Sequence, residues 1–234
     1  MSTAPLGAYL PEKGARAVFA RPDVFAGGSL NPREARGRPV EGGLRVSGRW
    51  GFGSGVGHSD WICGACVLVD DEGRPQLSDN GSPTVRLVFF PRAELTVHDT
   101  WHVSGLEGTG SHDYSVDDIF VPAERTMGFD LVPWPAGDLW RVPAISLVIG
   151  PFAAVPLGIA RAAVDELVSL AMTKTPYRSS RRLADRDVAQ TMVARAEAAV
   201  RAARHFVLAA MRDVSAARDG EEVTLHERAI LRLA

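Results

Sequence analysis

A glycine-rich stretch that carries two aromatic rings and one hydroxyl is the part of this sequence best suited to hold a planar ligand. It reads Trp50-Gly-Phe-Gly-Ser-Gly and follows a run typical of a β-strand. Glycines let the backbone approach a flat ring closely and leave its amides free to meet the ring's polar edge. Phe52 can pack beside such a ring, and Ser54 can hydrogen-bond to it. The alternatives are a glycine-rich barrel corner for Ser54 and core packing for Trp50.

A histidine and a second glycine-rich turn offer further polar groups. His58 follows a turn and precedes a strand, and its imidazole could line a pocket and polarise a bound substrate, because imidazole as a class suits acid–base work. In Gly108-Thr-Gly-Ser-His-Asp the glycines permit a tight turn, and Thr109 and Ser111 supply hydrogen-bond donors. The alternatives are a surface or structural histidine and a turn that only feeds the following strand.

Two other pairs of reactive side chains are interpreted as non-catalytic, the cysteines as buried structural residues and the aspartates as solvated turn residues. Cys63 and Cys66 lie within Trp61–Val69, a run typical of one buried strand, and not at a strand-to-helix turn where a helix N-terminus would lower a thiol pKa. A zinc site would need two further ligands at matching spacing, and none is evident. Asp117 and Asp118 are adjacent on a predicted strand, so they point to opposite faces and cannot both act on one substrate.

The elements that must position these residues change in type near residue 140. Before it, six β-rich runs alternate with turn residues, as in a small barrel or sandwich: Leu44–Trp50, Trp61–Asp70, Thr84–Phe90, Glu94–Asp99, Trp101–Ser104 and Ser111–Val121. From Pro143 onward apolar residues recur at helical spacing, with a long second helix from about Asp185 to about Arg218. Thr224 and Glu227 are spaced as the capping box of a third helix. The sequence therefore predicts an α+β protein.

Both ends of the chain interrupt a structural pattern. Glu12–Ala20 is predicted to be one short helix with nothing before it to pack on. The third helix stops at Ala234 while Leu225, Ala229 and Leu233 still present an apolar face. A domain rarely ends in mid-pattern, so we expect the sequence to be part of a longer chain.

Composition excludes several broad classes. Of the 234 residues, 46% are apolar and 23% are charged, and the net charge is −2, which is ordinary for a soluble globular protein and gives no basis for a nucleic-acid partner. No apolar run reaches the roughly 18–20 residues needed to cross a membrane, and the first residues lack the features of a signal peptide. We therefore expect a cytoplasmic protein with neither nucleic acid nor membrane as a partner.

Three stretches together resemble the two-component flavin-dependent monooxygenases, which are aromatic hydroxylases of the acyl-CoA dehydrogenase fold superfamily. They are Gly43–Trp61, Trp101–Pro122 and, more weakly, the helical segments Gly158–Leu167 with Gln190–Glu197. They span most of the chain in the family's order. The resemblance implies an α+β fragment with the end of an N-terminal helical domain (1–22), a middle β-barrel or sandwich domain (23–125), a linker (126–142) and part of a C-terminal helical bundle (143–234).

The resemblance assigns cofactor and catalytic roles to the first glycine-rich stretch. Ser54 matches the family's serine or threonine that contacts the flavin near its N5 position, two residues after an aromatic that matches Phe52. Trp50 and Gly55 are expected to complete this part of the cofactor site. The expectation that His58 acts with Ser54 in catalysis, by polarising a phenolic substrate, rests on its own imidazole and its place after the loop, because the family's better-established catalytic histidine lies in the last helices, which this sequence does not contain.

The resemblance extends the cofactor site to two other segments. Thr109, Gly110 and Ser111 belong to a segment that related enzymes use near the flavin. Arg178 lies in the loop between the two long helices, where the wider family has an arginine that reaches the phosphate of flavin bound to a neighbouring subunit. The alternative for Arg178 is a solvated basic loop.

The activity implied by the resemblance is ortho-hydroxylation of a phenolic or polycyclic aromatic substrate by O2. Reduced flavin, with FMNH2 favoured over FADH2, would come from a separate NAD(P)H:flavin reductase, since no Rossmann G-x-G-x-x-G follows a strand in this chain. A homotetramer is also expected. The alternatives are an acyl-CoA dehydrogenase and a truncated, non-catalytic paralogue.

Overall fold

The α+β class is confirmed, with strands before the long helices. The computed structural model describes residues 4–128, 133, 140, 147, 150–215 and 224–233. The chain divides into two compact units, Met1–Ala136 and Gly137–Ala234. In the described residues, the first unit is built on a β-sheet and the second is helical.

The strands of the first unit form one hydrogen-bonded sheet. Eight strands occur in the part of the chain that the structure describes: β1 (Ala26–Ser29), β2 (Arg36–Val40), β3 (Gly43–Trp50), β4 (Trp61–Leu68), β5 (Val85–Pro91), β6 (Thr96–His98), β7 (Asp113–Pro122) and β8 (Thr126–Met127). Their order across the sheet is β6-β7-β3-β2-β4-β5-β8, and β1 pairs with β4 off this path. The pairs β1–β4 and β2–β4 are parallel and the others are antiparallel.

The core of the sheet unit lies around β3, β4, β5 and β7. Strand β4 pairs with β1, β2 and β5, and its residues from Ile62 to Cys66 are all buried, as is typical of a strand covered on both faces. Cys63 and Cys66 are free thiols in this strand, and burial raises the pKa of each to about 12. The prediction of buried structural cysteines is therefore confirmed.

The structure corrects the predicted strand list in two ways. Trp101–Ser104 is not a strand, and Glu94 ends a short 3-10 turn before β6. Strands β1 and β2 were missed because their own sequences are poor in strand-forming residues, and β8 was missed because it is only two residues long. β1 forms because its glycines let it lie close to β4: a Cβ on Gly28 would fall 2.0 Å from the Cys63 carbonyl oxygen.

Helix α1 (Glu12–Val18) does have elements to pack against, so the expectation that it has nothing before it is wrong. A 3-10 helix, Ala4–Tyr9, precedes α1 and contacts it. Lys13 forms an ion pair of 2.9 Å with Glu124, which lies in the short turn before β8. A Cβ on Gly14 would fall 1.6 Å from the Glu124 carbonyl oxygen, so the glycine allows this close approach.

The second unit contains three described α-helices, α2 (Ala154–Thr173), α3 (Asp187–Ser215) and α4 (Leu225–Leu233). The predicted capping box of α4 is confirmed: the Thr224 amide donates to the Glu227 carboxylate at 2.7 Å, and the Glu227 amide donates to the Thr224 hydroxyl at 3.2 Å. The predicted end of the second helix near Arg218 lies outside the described residues. None of the described helices is long and apolar enough to cross a membrane.

Candidate functional site

The glycine-rich loop after β3 is held by backbone hydrogen bonds on two sides. The Gly53 amide donates to the His112 carbonyl at 3.0 Å, and the Gly28 amide donates to the Ser54 carbonyl at 3.3 Å. A Cβ on Gly53 would lie 2.6 Å from the same His112 oxygen, and a Cβ on Gly27 would lie 2.4 Å from the Ser54 oxygen. The glycines therefore let three segments meet: this loop, β1 and the start of β7.

Phe52 presents its ring to solvent from a strained backbone. Its φ is 57°, a left-handed conformation that bulky residues rarely adopt, and its side chain is 63% exposed. The ring meets Trp101 edge-on with 5.9 Å between centroids. An exposed aromatic ring in a costly conformation indicates a ligand surface, because neither the exposure nor the strain stabilises the fold.

Trp50 lies in the core and has no surface left for a ligand. It is 0% exposed, its indole N–H donates to the Ala65 carbonyl at 2.6 Å, and its ring stacks on Tyr114 at 5.1 Å. Of the two interpretations offered by the sequence, the structure supports core packing. A Cβ on Gly64 would lie 2.7 Å from the indole, so β4 accommodates this ring only because that residue is glycine.

Tyr114 connects three strands beneath the loop. Its buried hydroxyl donates to the Cys63 carbonyl of β4 at 2.5 Å and accepts the Ser29 amide at the end of β1 at 3.0 Å. Burial raises the pKa of this phenol well above its usual value. Tyr114 thus joins β7, β4 and β1 where they support the glycine-rich loop.

Ser54, Gly55 and His58 occupy the second half of the loop. Ser54 is half-buried, and its hydroxyl makes no hydrogen bond with the residues that the structure describes, which leaves it free for a ligand. Gly55 has a φ of 80°, and a Cβ there would lie 2.7 Å from the Phe25 ring. His58 is exposed and packs on Phe25 with 5.0 Å between ring centroids.

The second predicted segment lies directly before β7. The Thr109 hydroxyl donates to the Leu106 carbonyl at 2.8 Å and closes a 3-10 turn, Glu107–Thr109. Gly110 ends that turn with a φ of 52°, and Ser111 is buried. The two predicted segments are brought together through His112, because its carbonyl binds the first segment and its backbone follows the second.

His112 was not singled out from the sequence, although its ring organises this part of the molecule. Its Nδ1 accepts the amides of Thr100 and Trp101, both at 3.2 Å. Asp99 Oδ1 lies 3.4 Å from the same nitrogen, but two amide hydrogens already point at it, so we assign the ring proton to Nε2. The ring thereby holds Trp101, which contacts Phe52. The only sequence signal was its place beside the Thr-Gly-Ser turn.

The three arginines of the loop between α2 and α3 differ in their hydrogen-bond partners. Arg181 donates to the Asp185 carbonyl, and Arg182 donates to the Asp185 carboxylate at 3.2 Å and lowers the pKa of that carboxyl. Arg178 has a φ of 59°, and its guanidinium lies 5.3 Å from the Tyr177 ring. Within the described part of the chain, Arg178 alone of the three has no carboxylate or carbonyl partner.

No metal cluster competes with the loop as a candidate site among the described residues, and a small cleft there is lined by other residues. No three His, Cys, Asp or Glu side chains there are grouped so that they could bind a metal ion. A cleft of about 190 Å³ is lined by Ala17, Val18, Ala20, Arg21, Val24, Asp60 and Trp61. It is smaller than the roughly 300 Å³ of ordinary ligand pockets, and none of its lining residues belongs to the glycine-rich loop.

Both halves of the chain are similar in sequence to known proteins. Residues 151–234 match the family described as acyl-CoA dehydrogenase, C-terminal domain. Indole-3-acetate monooxygenase of Pseudomonas putida is 37% identical over 207 residues, which cover 88% of this chain and 51% of that protein. The oxygenase component of an FADH2-dependent resorcinol hydroxylase from Rhizobium sp. (strain MTP-10005) is 31% identical over 236 residues, which cover 95% and 55%. The chain spans about half the length of these curated relatives.

Solved structures show the same likeness. XiaF from Streptomyces sp., in complex with FADH2 and glycerol, superposes with a TM-score of 0.83 at 26% identity and covers 97% of this chain, which corresponds to 58% of XiaF. The 3-HSA hydroxylase from Rhodococcus sp. RHA1 has a TM-score of 0.83 at 25% identity, with coverage of 97% and 59%. Both likenesses extend over nearly the whole chain.

Proposed function

Because this chain has the acyl-CoA dehydrogenase-like fold and is homologous to flavin-dependent monooxygenases, we propose that it forms part of the oxygenase component of a reduced-flavin-dependent aromatic hydroxylase. The observation that carries the proposal is the pairing of Phe52 with Ser54. An exposed ring in a strained conformation stands two residues before a hydroxyl that has no partner among the described residues. The substrate would be a phenolic or polycyclic aromatic compound, a class that includes those in the names of its relatives.

The residues of the loop would bind and orient the cofactor. Reduced flavin supplies the oxygen-activating chemistry when it is bound. Phe52 would pack beside the flavin ring, and the Ser54 hydroxyl would hydrogen-bond near N5. Gly55 keeps the backbone bare, so that the ring can approach closely. Trp50 would act only by supporting the loop from the core.

The segment before β7 would form the neighbouring edge of the site. Thr109 and Gly110 shape the turn, and Ser111 lies beneath it. Their connection to the loop through the Gly53–His112 hydrogen bond supports this role. His58 would exchange a proton with the hydroxyl group of a phenolic substrate, for which its exposed position leaves it available.

The proposed partners are a second copy of the chain and a reductase. Arg178 would reach the phosphate of flavin bound to a neighbouring subunit of a homotetramer. Its lack of a carboxylate partner among the described residues supports that role, as does the exposed apolar surface of the helical unit. A separate NAD(P)H:flavin reductase would supply the reduced flavin, with FMNH2 favoured over FADH2, and the protein would be cytoplasmic.

The proposed domain bounds follow the family's order. Residues 1–22 would end an N-terminal helical domain, 23–125 would be the middle β-domain, 126–142 a linker and 143–234 part of the C-terminal helical domain. Strand β8 lies at the beginning of the proposed linker and pairs with β5.

The proposed function is tested by anaerobic titration of the purified chain with reduced FMN and reduced FAD. We expect saturable binding that Ser54→Ala weakens about five- to tenfold, the value of one hydrogen bond. Ser82→Ala, in an exposed turn, is the matched control and should bind like the wild type. If the folded wild-type chain binds neither flavin, the site proposed here is not sufficient, and the non-catalytic alternative gains support.

A further inference from the structure

Arg33 is a cation held at the edge of the glycine-rich loop. Its Cζ lies 5.9 Å from the centroid of the Phe52 ring. A Cβ added to Gly51 would lie 3.1 Å from Nη1, so the guanidinium rests against the bare backbone of Gly51. No carboxylate of the described residues lies within ion-pair distance of Arg33. The group is therefore oriented by its packing and is free to meet an anion.

The turn before β2 fixes the backbone of Arg33. The Asn31 side-chain oxygen accepts the Arg33 amide at 3.1 Å, and the Pro32 carbonyl accepts the Ala35 amide at 2.8 Å. The carbonyl of Arg33 accepts a bond from Arg36 at 3.3 Å. Within this turn Arg33 has a φ of 40°, a left-handed conformation that costs energy for a residue with a Cβ.

Strained residues meet around the Phe52 ring. Five non-glycine residues with positive φ occur among those described. One is Phe52 itself, Arg33 contacts its ring, and Leu106 is linked to it through Trp101. The Leu106 carbonyl accepts the indole N–H of Trp101 at 3.2 Å, and Trp101 contacts Phe52. Backbone strain of this kind persists where the surrounding structure maintains it, and it clusters at ligand sites.

We propose that Arg33 recognises the anionic group, a carboxylate or a phosphate, of a planar ligand that packs on Phe52. The planar guanidinium fork binds both groups with paired hydrogen bonds. The proposal rests on the proposed function, because the ligand is either the flavin, whose acidic group is a phosphate, or an aromatic substrate that carries a carboxylate.

Two matched ligand pairs separate these sources. Reduced FMN and reduced riboflavin share the same ring and differ in the phosphate, whereas naphthalene-2-carboxylate and naphthalene-2-carboxamide differ in charge. Each is titrated anaerobically against the full 234-residue chain. We expect Arg33→Gln to reduce the preference for the anionic member of one pair about tenfold, the value of a charge-assisted hydrogen bond. Arg38→Gln, which removes an exposed arginine of β2, is the control and should change neither preference.

A second variant tests the position of the guanidinium without removing it. Gly51→Ala adds a methyl group that must push the flexible end of Arg33 aside, so it should lower the same preference by a smaller factor. Circular dichroism and a melting curve establish that each variant is folded.

The outcomes are distinct. Loss of the FMN preference identifies the phosphate as the partner of Arg33, and loss of the carboxylate preference identifies the substrate. Wild-type binding with both preferences unchanged in Arg33→Gln would overturn the role of Arg33 and leave the proposed function standing. A folded wild-type chain that binds none of the four ligands would count against both.

Discussion

At the scale of single residues, the two aromatic residues of the glycine-rich loop show why similar side chains have different roles. Trp50 is fully buried and hydrogen-bonded, whereas Phe52 is mostly exposed and strained. Trp50 therefore contributes to the stability of the β-sheet. Phe52 is exposed and strained, so we expect it to contribute little to stability.

This difference predicts opposite effects of substitution. Glycine at position 52 removes a left-handed backbone strain of about 1–2 kcal/mol from the folded state. This gain offsets two losses: the contact with Trp101 disappears, and the unfolded chain becomes more flexible. We expect Phe52→Gly to change the free energy of unfolding by no more than about 1 kcal/mol. Flavin binding should fall at least tenfold. Urea unfolding and anaerobic flavin titration measure the two effects.

Trp50→Phe is the matched control for this prediction. It removes buried volume and leaves the Ala65 carbonyl without its donor, so it should lower the free energy of unfolding by about 2 kcal/mol or more. If Phe52→Gly were as destabilising as Trp50→Phe, the Phe52 ring would be part of the fold and not a binding surface.

At the scale of elements, two helical glycines look equivalent in the sequence but have different surroundings. Gly14 in α1 lies against the backbone of Glu124, whereas a Cβ on Gly158 in α2 would have no neighbour within 4 Å among the residues that the structure describes. Alanine is the better helix former by about 1 kcal/mol at both positions. The surroundings of each glycine therefore decide whether its replacement by alanine raises or lowers the free energy of unfolding.

We expect Gly158→Ala to raise the free energy of unfolding by up to about 1 kcal/mol. Gly14→Ala should lower it, because its Cβ would fall 1.6 Å from a backbone oxygen that cannot move away alone. Thermal unfolding of the two variants measures this contrast. A stabilising Gly14→Ala would show that α1 does not dock on the turn before β8 as the structure has it.

At the scale of the whole molecule, acid and alkali should affect different groups. In the helical unit, Glu197 accepts hydrogen bonds from Arg161 and Arg201, which lower the pKa of its carboxyl. A lowered pKa contributes stability above the unfolded value near 4, and this stability is lost as the pH falls through the folded value. In the sheet unit, burial raises the pKa of Cys63 and Cys66 to about 12. The part of the free energy of unfolding that depends on these buried, neutral thiols is fully present below about pH 8.5 and is lost as the pH rises towards 12.

Two variants test this pH dependence. The free energy of unfolding, followed by the helical circular dichroism signal, should fall less between about pH 5 and pH 3 in Glu197→Gln than in the wild type. The loss of stability at alkaline pH should be the same in both proteins. Replacing both cysteines by alanine should reduce the stability lost between about pH 8.5 and pH 11, measured by urea unfolding followed through tryptophan fluorescence. An unchanged alkaline limb in the cysteine variant would mean that these thiols are not shielded from ionisation in the native state.

Local patterns were sufficient to predict much of this protein. The Thr224–Glu227 capping box, the long helices and most strands follow from residue spacing, because helical and strand periods are properties of the local chain. The glycine-rich loop was also found, because bare backbone around an aromatic and a hydroxyl is a local signal. The sequence by itself thus determined the α+β class and the segment of the candidate site.

Only the tertiary structure decided which residues lie together at the candidate site. β1, a poor strand by composition, forms because Gly28 lies against β4, and His112 joins two segments that are more than fifty residues apart. Arg33 contacts Phe52 because of a turn, and no periodic pattern in the sequence predicts that turn. Trp50 and Phe52 have the same local context, yet the sheet buries one and exposes the other. These facts depend on contacts between distant residues, and such contacts are set by packing rather than by the preferences of the local chain.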